Sequence, residues 1–138
     1  MSRLYLGLGS NLGDRRENIQ RAITFIGERI GEVLRVSSFI ETEPWGFQSE
    51  HCFLNAACLV DTSLTPMQCL RKTQQIERLL GRRKKSREGV YHDRPIDIDL
   101  LIYDDLRIQT PTLTLPHPRI EERDFVKIPL EEIGGIRN

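Results

Sequence analysis

The hydrophobic period of this chain switches repeatedly between two and three-to-four, and that order of switches constrains the fold more than any other feature. Leu4, Leu6 and Leu8 alternate with Tyr5, Gly7 and Gly9, the period of a strand, and the two glycines leave one strand face open to close approach. Ser10 to Gly13 then form a turn. From Asp14 the apolar residues Ile19, Ala22, Ile23, Ile26 and Ile30 recur at steps of three and four. That spacing predicts an amphipathic helix, with Asp14 and Glu17 placed as a capping box and Gly31 at its stop. Residues 33–40 and 53–60 read as the second and third strands, joined by a long loop that carries Pro44 and Gly46. Thr65, Pro66 and Gln68 open a second helix that runs to Leu80 and stops at Gly81. Residues 82–94 are charged and aperiodic, which predicts a mobile loop, and a fourth strand begins near Ile96. Beyond it, prolines punctuate short extended pieces, with one turn of helix expected near Ile120.

Strand, helix, strand, strand, helix, strand is the split βαβ plan, so the expected fold is an α+β, ferredoxin-like βαββαβ sandwich with long mobile loops. With 138 residues the chain is expected to be a single domain spanning 1–138. Twenty Lys and Arg balance twenty Asp and Glu, which argues against bulk electrostatic binding of nucleic acid or an anionic membrane. Cys52, Cys58 and Cys69 are odd in number and form no C-x-x-C pair, the pattern of free thiols in a reducing compartment. No leader-like or membrane-length apolar run is present, and a cytoplasmic protein is expected.

The sharpest chemical signal is Asp97-Ile98-Asp99, because strand alternation puts both carboxylates on one face while Ile98, Leu100 and Ile102 point into the core. Two strand residues span about 6.5 Å, close enough for the pair to bracket two magnesium ions roughly 3.5 to 4 Å apart. A strand with one solvated face would show the same pair. The preceding stretch carries Arg82, Arg83, Lys84, Lys85, Arg87 and Arg94 against Glu88 and Asp93, and leads directly into the carboxylates. Magnesium with flexible cationic side chains is the equipment for holding a polyphosphate, so loop and strand together favour a magnesium-nucleotide site.

Other residues are open to two readings. His117 lies between Pro116 and Pro118, followed by Arg119 and Arg123, a pattern that suits phosphate binding and a structural proline corner about equally. Phe53 and Asn55 share a strand face and could stack on and hydrogen-bond a flat heterocycle, though a buried Phe beside a satisfied Asn gives the same spacing. Gln74 and Glu77 lie one helical turn apart, as many surface pairs do. GLGSNLGD matches neither the dinucleotide fingerprint nor a P-loop.

Taken in order, GLGSNLGDRRENI, ETEPWG, FLNAA, TQQIERLLGR, RPIDIDLLIY and LPHPRIEERDFVKIPLEEI resemble the 6-hydroxymethyl-7,8-dihydropterin pyrophosphokinases of folate biosynthesis over nearly the whole chain. The resemblance implies transfer of pyrophosphate from ATP to the pterin hydroxymethyl group, with AMP as the other product. It implies two Mg2+ ions on Asp97 and Asp99, with Arg82 and Arg94 among the catalytic groups. Gln74, Glu77, Lys84, Ile98, His117 and Arg123 would serve ATP. Thr42, Pro44, Trp45, Phe53, Asn55 and Phe125 would hold the pterin, the two phenylalanines sandwiching its ring. Lys84 stands where an arginine is common, and Tyr91-His92-Asp93 where a tryptophan and Gly-Pro are frequent. The expected partners are these two small molecules, with no nucleic acid and no membrane, and a monomer is expected.

Overall fold

The computed structural model describes residues 1–42, 52–81 and 95–135. Asp14 and Thr65 start the two helices that the periodicity predicts. The Asp14 carboxylate accepts the N–H of Glu17 at 3.1 Å and opens α1 (Arg15–Arg29). Thr65 and Gln68 form a complete capping box for α2 (Pro66–Leu79), with Pro66 in the first turn. Around them run β1 (Ser2–Ser10), β2 (Gly31–Val36), β3 (Ile40–Thr42), β4 (Phe53–Thr62) and β5 (Asp97–Tyr103). A small hairpin of β6 (Ile108–Gln109) and β7 (Thr114–Leu115) follows, then α3 (Asp124–Glu132).

The main sheet has the order β2-β4-β1-β5, with every neighbour antiparallel and β3 adding to β4. β1 and β2 are therefore parallel to each other with β4 between them, and β4 and β5 are parallel with β1 between them. Two interleaved split βαβ units are the ferredoxin-like plan. Leu4, Leu6 and Leu8, with Leu54, Ala56, Cys58 and Val60, turn toward α1 and α2 and bury Ile19, Ala22, Ile26, Cys69 and Ile76 beneath them. Among the described residues, α3 is the helix on the other face of the sheet. There α3 packs Leu130 and Ile133 against Tyr5, Ala57, Leu59 and Leu101.

Three expectations are corrected. The second strand does not run unbroken from 33 to 40. Between the pairs Val36↔Cys58 and Ile40↔Asn55 four steps on one strand meet three on the other, so the ladder slips a residue. At the slip the Ser37 hydroxyl accepts the N–H of Ala57 at 2.8 Å, and the Ser38 N–H turns to the Glu132 carboxylate. Near Ile120 there is a turn, and the helix comes later and longer, as α3, despite Pro129 within it. Pro129 has no N–H to give to the carbonyl of Phe125, but its ring and Leu130 are buried, and that burial outweighs the lost bond. Finally, Ile102 does not join the core of Ile98 and Leu100. The β1–β5 register shifts so that Leu101 is an extra residue, and Leu101 and Ile102 both pack on the α3 side.

Candidate functional site

The bulge at Leu101 comes after the two aspartates, so strand alternation is intact where it matters. Asp97 is directly opposite Gly9 of β1, and Gly9 is directly opposite Asn55 of β4. One step along, Asp99, Gly7 and Ala57 form the next row. Both carboxylates therefore share the α3 face with Phe53 and Asn55, and two strand spacings put the Asp97 and Asn55 Cα atoms roughly 10 Å apart. Between them the floor is glycine. A Cβ at Gly9 would lie 3.1 Å from Asn55 Oδ1 and 3.5 Å from Phe53 Cδ1, so the missing side chain lets both lean across the sheet.

Asn55 is only 5% exposed, and its side-chain N–H donates to Thr42 Oγ1 at 2.8 Å. Thr42 itself pairs with Phe53 across the β3–β4 ladder. Thr42, Phe53 and Asn55 thus form one hydrogen-bonded and aromatic cluster, as a heterocycle pocket requires.

On the other side of the aspartates, the Glu77 carboxylate on α2 accepts the N–H of Ile98 at 2.8 Å. β5 is an edge strand, and in an antiparallel pair a residue's N–H and C=O point the same way. The Ile98 carbonyl therefore faces the same outer edge as Glu77. Gln74 lies half-buried one turn earlier on α2. Nothing in the spacing of Gln74 and Glu77 signals this bond, because it depends on how α2 docks on the edge strand.

His117 follows the cis Leu115–Pro116 bond and donates its backbone N–H to the Leu101 carbonyl at 2.8 Å. Its Nδ1 accepts the N–H of Arg119 at 3.2 Å, so the neutral ring carries its proton on Nε2. Burial holds the imidazole below its ordinary pKa of 6.5; the Arg123 charge lowers it further, Asp97 opposes that, and Arg119 adds to it. His117, Asp97 and Arg123 are thereby electrostatic neighbours. The Arg123 guanidinium lies 5.6 Å from the centroid of the Phe125 ring, which stands on the helix covering the Phe53 face. Six of the expected side chains thus come to one face: Thr42, Phe53, Asn55, Asp97, Asp99 and His117. Arg123 acts on His117 from the start of α3, with Phe125 against its guanidinium. Pro44, Trp45, Arg82, Lys84 and Arg94 lie outside the described residues.

The donor set suits magnesium. Among the described residues no cluster of three His, Cys, Asp or Glu is present. Two carboxylates alone leave most of an octahedral shell to water and phosphate oxygens, the usual mode for this ion. The cysteines stand apart from this chemistry: burial raises the Cys58 thiol to about 12 and the Cys69 thiol to about 11, and both sit in the helix-side core. No described helix is long and apolar enough to cross a membrane.

Comparison with known proteins shows the family. A family model described as 7,8-dihydro-6-hydroxymethylpterin-pyrophosphokinase matches residues 5–135. The chain is 51% identical over 135 residues to a 2-amino-4-hydroxy-6-hydroxymethyldihydropteridine pyrophosphokinase of Porphyromonas gingivalis, covering 97% of this chain and 92% of that protein. To the protein of the same name from Aquifex aeolicus it is 42% identical, covering 96% and 81%. A Plasmodium falciparum HPPK-DHPS crystal structure superposes with a TM-score of 0.75 over 99% of this chain at 15% identity, a likeness of fold. This chain spans 44% of that longer one.

Proposed function

The chain belongs to the 7,8-dihydro-6-hydroxymethylpterin-pyrophosphokinase family, and from that premise we propose that it transfers pyrophosphate from ATP to 6-hydroxymethyl-7,8-dihydropterin, on the route to folate. The observation that carries the reading is the row Asn55, Gly9, Asp97. It sets the amide of Asn55 and the carboxylate of Asp97 on one sheet face, which supports a heterocycle site beside a metal site.

Phe53 and Phe125 stack on the pterin ring, while Asn55, Thr42, Pro44 and Trp45 read its edge. The hydroxymethyl oxygen then points along the glycine floor toward the aspartates. It attacks the β-phosphorus, the bond from that phosphorus to the oxygen bridging the α-phosphate breaks, and AMP leaves with the bonding electrons as the hydroxyl proton passes to solvent. Asp97 and Asp99 would hold two Mg2+ ions, which when bound supply charge neutralisation across the triphosphate and the leaving oxygen. His117 donates Nε2–H to a phosphate oxygen, and Arg123 adds a charged donor. Arg82, Lys84 and Arg94 supply further positive charge, and Gln74, Glu77 and the Ile98 edge receive the nucleoside. Positioning does most of the work, since the reaction needs alignment and charge compensation more than covalent help. We further assign the chain as a single-domain cytoplasmic monomer acting on small molecules, with no nucleic-acid partner.

An AMP-release assay tests the reading. AMP should appear only with both magnesium and the pterin present. Asp97→Ala and Asp99→Ala, if they melt like the wild type, should each lose about a hundredfold or more in turnover. Undiminished turnover in either variant would contradict the assignment of the metal ligands.

A further inference from the structure

We propose that Arg15 is a positioning residue for the heterocycle end of the site, acting through the backbone from the opposite side of the sheet; this rests on the pterin reading above. Arg15 is the first residue of α1, where a positive charge opposes the helix dipole. Its placement is offset by two bonds from one nitrogen. Nη1 donates to Glu41 Oε1 at 2.7 Å and to the Cys52 carbonyl at 2.9 Å, one hydrogen to each acceptor. Glu41 precedes Thr42 and Cys52 precedes Phe53, so a single guanidinium ties the end of β3 to the start of β4, the two strand ends that present the cluster. Beside it the Arg16 guanidinium lies 4.9 Å from the centroid of the Phe39 ring, and the helix start grips the approach to β3 twice.

The latch matters because β3 is short: α3 touches it, but its ladder is brief. It is three residues long and, among the described residues, pairs with β4 alone. Glu41 sits opposite Leu54, whose side chain enters the helix-side core, whereas Thr42 sits opposite Phe53 and Ile40 opposite Asn55 on the other face. Arg15 therefore works on the helix side, and Thr42, Phe53 and Asn55 work on the site side. A shift of β3 would move the Thr42 hydroxyl that orients the Asn55 amide. A guanidinium that touches no substrate thus sets how well the pterin is read.

The test compares wild type, Arg15→Ala, Glu41→Ala and the double variant in steady-state kinetics, with amide exchange of Thr42 and Phe53 measured in parallel. The proposal predicts a pterin KM raised about fivefold to tenfold in Arg15→Ala, with kcat and the ATP KM within about twofold of wild type. The double variant should be no worse than Arg15→Ala alone, and the two amides should exchange faster. Arg15→Lys, which keeps the charge but loses the fork, should recover part of the pterin KM. An active wild type whose Arg15→Ala variant keeps its pterin KM, or loses ground equally for both substrates, overturns the latch and leaves the functional reading intact. A wild type that neither binds the pterin nor releases AMP overturns the functional reading and this proposal with it.

Discussion

Burial and neighbouring charges together set where His117 titrates in the free protein. Its pKa lies below 6.5 because burial, Arg123 and Arg119 outweigh the attraction of Asp97. A depressed histidine pKa means the unfolded chain binds the proton more readily between the folded value and 6.5. Its contribution to stability is therefore complete above 6.5 and is lost as pH falls through that window toward the folded value. NMR titration of the ligand-free protein should find the His117 midpoint below 6.5; a midpoint above it would mean Asp97 outweighs the arginines and burial. Gly9 makes a second residue-scale prediction. In Gly9→Ala the new methyl would press on Asn55 Oδ1 from 3.1 Å, so the amide must move by a few tenths of an ångström. Pterin affinity should fall roughly tenfold while the melting curve barely changes, since a small misplacement at a site costs more than it does in the fold. Equilibrium titration with the pterin measures it, and unchanged affinity would show that the glycine floor is not needed. The thiols give a third check: burial raises Cys58 to about 12, so the native protein should leave it unmodified by a thiol reagent that reaches half-buried Cys52 first.

At the scale of elements, α3 is tied to the β2–β3 connection by Glu132, whose carboxylate accepts the N–H and hydroxyl of Ser38 at 2.8 to 3.1 Å. Glu132→Ala should cost about 1 to 2 kcal/mol of stability, read as a lower denaturation midpoint. An unchanged midpoint would mean that packing of Leu130 and Ile133 alone holds the helix. This same region is where sequence reasoning falls short. α1 and α2 are legible because their caps and their three-to-four spacing are local, β1 because its alternation is, and β4 because it is a short apolar run. α3 is not legible, because Pro129 argues against a helix locally and only the buried contacts of its neighbours argue for one. The slips at Ser37 and Leu101 escape for a related reason. A bulge is set by what lies across the ladder, and Ser37 answers to Ala57, Leu101 to Leu6 and Tyr5. The candidate site divides in the same way. Asp97 and Asp99 can be read from strand alternation, whereas the Glu77 bond to Ile98 and the Arg15 latch depend on how each helix docks.

Taken whole, the molecule's neutrality hides a polarity. Residues 82–94 hold six Lys and Arg against two Asp and Glu, a balance of +4, and residues 97–105 hold four Asp and no Lys or Arg. A positive stretch leading into a negative strand is the arrangement that a metal-bound triphosphate needs, and the ferredoxin-like sheet sets the heterocycle cluster two strands away from it. On the proposed function, attack falls on the β-phosphorus of ATP and on no other. Phosphorus-31 NMR of a complete reaction mixture tests it most directly. Resonances of AMP and of a pterin diphosphate should grow together in equal amounts, both absent when the pterin is withheld. ADP with a pterin monophosphate, or ATP consumed at the same rate without the pterin, would contradict it.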